Sequence, residues 1–151
     1  IGATAQGIRK IESKLRYHVQ DACFSDVSIV RGKEVWRLTG AHELPCTKNS
    51  SLTLKILKLL KRLLHGEEKN EELFNIIETL YLTPISDDEF DIVETITVLR
   101  ILNTLGYIKN DEEVKVFLDN NSLDKDIINK FQNIKSKAIA MINNALKESQ
   151  L

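Results

Sequence analysis

The sequence predicts an α+β chain, with a short basic β-rich front followed by an all-helical back. Three observations carry this. Two β-rich runs between Val27 and Thr39 flank a glycine-led turn, and an almost uniformly apolar helix with capping residues spans Ser86 to Gly106. Charge is also unevenly divided: residues 1–48 carry eight Lys/Arg against five Asp/Glu, a net +3, and residues 49–151 carry thirteen against seventeen, a net −4. A basic front on an acidic helical back suggests that the front meets a polyanion.

Taken in order, Ile1–Ala5 is short, small and apolar and reads as a strand entering from upstream, since the chain opens without a methionine. Gly7 breaks it. Ile8, Ile11, Leu15 and Val19 recur every three or four residues, which predicts one or two helical turns with Arg9, Lys10, Lys14 and Arg16 facing outward. Val27–Arg31 and Glu34–Thr39 then form a hairpin around Gly32-Lys33, a two-residue loop with Gly first, as a type II′ turn requires. That register sets Arg31 opposite Glu34 and Ile29 opposite Trp36, with Val27, Ile29, Trp36 and Leu38 on the core face. Arg31, Lys33 and Arg37 line this hairpin.

Residues 45–50 contain a proline and a polar Thr-Lys-Asn-Ser run, and they mark the expected linker between a front unit at 1–44 and a helical unit at 51–151. A helix over Leu52–His65 buries Leu52, Ile56, Leu59, Leu60, Leu63 and Leu64 and stops at Gly66. Asn70 caps the next, Glu71–Leu82, with Leu73, Phe74, Ile77, Leu80 and Tyr81 inward. In the central helix Ser86 and Glu89 form the S-x-x-E capping box, Ile85 and Phe90 the staple, and Gly106 the left-handed stop. Its apolar residues wrap most of the cylinder, so it is a buried scaffold. A short acidic-capped helix at Asp111–Leu118 and a long one at Leu123–Glu148 complete the chain, the last packing a wide apolar stripe on its own domain.

Composition narrows the function. Two cysteines, Cys23 and Cys46, supply neither a disulfide framework nor a four-cysteine zinc site, and free thiols of a reducing cytoplasm are the expected state. No apolar run approaches the roughly 20 residues of a membrane span, and no secretory leader is read. His18, His42 and His65 lie on separate elements, and Pro45 keeps His42 and Cys46 off one helical face, so no metal site is expected. The acids Asp87–Asp91 are explained by capping and the helix dipole. Without a phosphate-binding glycine loop, nucleophile elbow or zinc spacing, no enzyme is expected. The arginine-rich front remains, its planar guanidinium groups suited to phosphate and base faces.

The segment Gly7-Ile-Arg-Lys-x-x-Ser-Lys-Leu-Arg, then Val27–Leu38, then Leu63-Leu-His-Gly-Glu-Glu-Lys-Asn-Glu-Glu-Leu-Phe and Leu102-Asn-Thr-Leu-Gly-Tyr-Ile, resembles the RecO family of bacterial DNA repair proteins, in that order and over essentially the whole chain. The resemblance implies that residues 1–44 are the later strands of an N-terminal OB-type β-barrel followed by an all-α domain. It further implies a non-catalytic recombination mediator of the bacterial cytoplasm and nucleoid. Such a protein binds single- and double-stranded DNA, anneals strands, and works with RecR and the acidic tail of single-strand-binding protein to help load recombinase. Arg9, Lys10, Lys14 and Arg16 fall where the family is basic; Arg31, Lys33 and Arg37 are added from the hairpin reading. Many members hold zinc on four cysteines in the helical half, but no cysteine follows Cys46 here, so no cofactor is expected. The alternative is a helical protein–protein module whose basic surface is incidental.

Overall fold

A computed structural model describes residues 3–19, 24–44, 50–64, 66, 69–109 and 111–148. Within them the α+β expectation is met. The front holds strand β1 (Ala3–Thr4), helix α1 (Lys14–His18), and strands β2 (Ser25–Arg31) and β3 (Trp36–Glu43). The back holds α2 (Ser50–Leu63), α3 (Glu71–Leu82), α4 (Phe90–Thr104), α5 (Glu112–Leu118), α6 (Lys125–Phe131) and α7 (Lys135–Glu148), with a 3₁₀ turn at Gln132–Ile134 between the last two. The described strands form an open mixed sheet in the order β1-β3-β2, with β1 parallel and β2 antiparallel to β3.

The hairpin departs from its predicted register by two residues. Arg31 pairs with Trp36, Val30 with Arg37 and Ile29 with Leu38, so Gly32–Val35 is a four-residue loop. Gly32 does not take the positive φ of a type II′ turn; its N–H donates to the Val35 carbonyl at 3.0 Å. Glycine is needed there for space, because a Cβ would lie 2.8 Å from that same oxygen. A bulge between Ser28 and Ile29 supplies the second correction. It leaves Thr39 unpaired in β3 and sets Val27 opposite Ala41, where Val27 is 46% exposed rather than in the core.

The predicted turns over 8–19 shrink to α1. Gly7 has φ 75, and Lys10 and Ser13 donate to the carbonyls of Gly7 and Lys10 in two successive tight turns. Ile11 is left 79% exposed. The expected linker lies outside the described residues apart from Ser50, where α2 begins.

In the helical half the predicted caps form. The Asn70 side chain accepts from Leu73 N–H at 2.9 Å and the Asp111 side chain from Glu113 N–H at 3.1 Å. At Gly106, φ 79, the chain makes both bonds of a Schellman motif: Gly106 N–H to the Asn103 carbonyl and Tyr107 N–H to that of Leu102, each at 2.8 Å. The capping box at the head of α4 is half made. The Glu89 carboxylate accepts from the Ser86 backbone N–H at 3.1 Å, but the Ser86 hydroxyl donates to that same carboxylate at 2.6 Å. Val93, Ile96, Leu99, Ile101 and Leu102 of α4 are fully buried, and α2, α3, α5, α6 and α7 all pack on it. Phe74 and Leu64 lie outside the core in which the sequence pattern places them. Leu64 lies beyond the end of α2 and is exposed. The buried face of α3 is centred on Leu73, Ile76, Ile77, Leu80 and Tyr81, which turns Phe74 to its edge, 54% exposed. The long C-terminal helix tightens into the 3₁₀ turn without leaving the right-handed region, so Phe131, Ala138, Ile142 and Ala145 still share the core.

Candidate nucleic-acid interface

Seven cations define the candidate site, and all seven are exposed: Arg9, Lys10, Lys14, Arg16, Arg31, Lys33 and Arg37. Their positions follow from three local features. Gly7 turns the chain after β1, and the Lys10 stem folds back beside it, with Lys10 Cδ 3.9 Å from where a Gly7 Cβ would stand. Lys14 and Arg16 sit on α1, which packs on β3. A Ser25 hydroxyl bond to the His18 carbonyl secures the end of α1, where the His18 and His42 rings lie 5.9 Å apart.

Arg31, Lys33 and Arg37 gather at the loop end of the hairpin. Arg31 closes β2, Lys33 lies in the loop, and Arg37 is the second residue of β3, its Nε 3.5 Å from where a Gly32 Cβ would stand. β1 runs alongside, with Ala3 paired to Trp36 and Thr4 to Arg37. The Arg31 guanidinium carbon is 5.7 Å from the centroid of the Trp36 ring, a cation–π pair. The sequence reading missed this pair because it set Trp36 opposite Ile29. The signal available was the Gly32-Lys33-Glu34-Val35 run, which suits a four-residue loop as well as a shorter one.

Charge is handled differently in the two halves. Every ion pair among the described residues lies in the helical half: Lys55–Glu94 at 3.0 Å, Lys69–Glu71 at 2.5 Å, Lys135–Asp91, and Lys137 with Asp111 at 2.8 Å and Glu113 at 2.6 Å. Lys137 donates to both carboxylates, which raises its pKa and holds Asp111 below the usual carboxylate range. None of the seven front cations is matched in this way among the described residues.

No group of three or more His, Cys, Asp or Glu side chains among the described residues is arranged to hold a metal ion, and Cys23, Cys46 and His65 lie outside those residues. No helix among them is long and apolar enough to cross a membrane. At the head of α4, Asp88 and Glu89 are both lowered in pKa, first by the Ser86 side chain, and Asp91 pairs with Lys135. No protein-family model matches the chain, and comparison with curated proteins returns no match.

Proposed function

We propose that this protein is a non-catalytic DNA-binding component of recombinational repair of the RecO type. Its basic front would hold single- and double-stranded DNA while the helical bundle acts as scaffold. The observation that carries this reading is the set of seven exposed front cations, unmatched by carboxylates among the described residues, beside a helical half that pairs lysines internally. The ordered motifs of the RecO resemblance point the same way. On this reading the open sheet is the later part of an OB-type barrel, the chain divides near residues 45–50, and RecR and the acidic tail of single-strand-binding protein are its partners in the cytoplasm. No zinc or other cofactor is assigned.

The mechanism is electrostatic. Arg and Lys neutralise phosphates and release condensed counterions, so affinity is largely independent of sequence and falls steeply with salt. Two strands held on one cationic surface repel each other less, which favours annealing. Replacing Arg9, Lys10, Lys14 and Arg16 together with alanine should weaken binding and flatten the log–log salt slope by up to about four contacts. All four side chains are exposed, so the melting temperature should barely move. An unchanged slope removes these residues from the interface.

A second reading, a protein–protein module, is favoured by the half-exposed Phe74 and Leu82 on α3. Gel shift with single-stranded DNA at two salt concentrations separates the two. Salt-sensitive retardation supports the first, and its absence supports the second.

A further inference from the structure

We propose that Arg31 and Trp36 form a stacking platform for one unpaired nucleobase, which adds a base-dependent contact to an interface otherwise driven by charge. This rests on the nucleic-acid reading above and deepens it, since a base held in a duplex is not free to stack there. The platform therefore selects single strands.

The pair sits on the last rung before the hairpin loop, so the sheet fixes the Trp36 backbone while the loop leaves the end open. Trp36 is half-buried and Arg31 exposed, so the indole is anchored and the guanidinium over it faces solvent. No carboxylate pairs with Arg31 among the described residues, leaving the planar cation available to a π-face. The neighbours suit the same ligand. The strand flanking Trp36 contributes only Ala3 and Thr4. Lys33, two residues beyond Arg31 in the loop, is placed to contact a phosphate next to the stacked base, whereas Arg37, next to Trp36 in β3, lies on the opposite face of the sheet.

Trp36 is the only tryptophan in the chain, so intrinsic fluorescence reports on this site alone. The test titrates the protein with oligothymidylate and with an abasic oligomer of equal length, at several salt concentrations. Thymidylate should quench the emission and bind about tenfold more tightly than the abasic strand, with similar salt slopes. Arg31→Lys keeps the charge and should abolish the discrimination while preserving the slope. Trp36→Phe, followed by anisotropy of a labelled oligomer, should retain part of the preference. Equal affinity and equal emission change for both oligomers would overturn the platform and leave the charge-driven interface standing. Failure of either oligomer to bind would overturn both.

Discussion

Arg100 is buried to 3% exposure in the C-terminal half of α4, an apolar helix. Its guanidinium spends three donors on backbone carbonyls: Phe117 at 2.8 Å, Asn121 at 3.0 Å and Ser122 at 2.9 Å. These oxygens belong to the end of α5 and the loop leading to α6, where helical carbonyls lack intrahelical partners. Burial lowers the Arg100 pKa to about 10, partly opposed by Asp124, so the side chain stays charged at neutral pH. Arg100→Met would keep much of the volume but strand three acceptors, at a cost of about 3 kcal/mol. Arg100→Lys would keep the charge but cannot span the same fork, and should fall between the two. Urea unfolding monitored by circular dichroism measures both. A midpoint for Arg100→Met equal to the parent's would show that the three bonds do not hold α5 in place. A lone arginine in an apolar run marks such a position in sequence, but its acceptors lie 17 to 22 residues away and only the fold identifies them.

At the scale of elements, helix entries share one electrostatic device. Asp88 and Glu89 are lowered in pKa mainly through the Ser86 side chain, Asp111 mainly through Lys137, and Asp124 mainly through the Ile127 N–H it caps. A carboxylate with a lower pKa folded than unfolded gives up its proton more readily in the fold. On acidification the unfolded chain therefore takes up protons first. The stabilisation is complete above the ordinary carboxylate pKa and is lost as pH falls through the folded value. Asp111→Asn keeps an acceptor for the Glu113 N–H but removes the titrating charge beside Lys137. Its melting temperature should decline less than the parent's between about pH 6 and about pH 3, and parallel declines would deny Asp111 a share of the acid limb. These caps were legible in the sequence because capping is local chemistry, decided within three or four residues: Asn70, Asp111 and Gly106 all act as their types predict. The hairpin strands were legible for the same reason. Their register was not, because it turned on the backbone angle of Gly32 and on a bulge at Thr39 that alternation alone does not reveal. One consequence reached the candidate site: its cations could be named from sequence, but the Arg31–Trp36 pairing could not.

For the whole molecule, the question is how firmly the sheet is joined to the bundle. Phe24 is the clearest junction. Its carbonyl accepts from Leu44 N–H at 3.0 Å, closing the base of the hairpin. Its ring lies 4.5 Å from the Tyr81 ring and 5.9 Å, edge-on, from that of Phe74, both on α3. The sheet offers the bundle little else of this kind among the described residues: Ile29, Trp36 and Leu38 are only half-buried, whereas α4 is enclosed by five other helices. Such a difference predicts two levels of local stability, with the hairpin opening at lower free energy than the core. Phe24→Ala should weaken docking of the hairpin by about 2 kcal/mol, from lost apolar area and lost ring contacts. Native-state hydrogen exchange would then show faster exchange across β2 and β3, with the amides of α4 unchanged. If protection fell equally in β2, β3 and α4, the chain would be one cooperative unit, and the proposed division near residues 45–50 would have no energetic meaning.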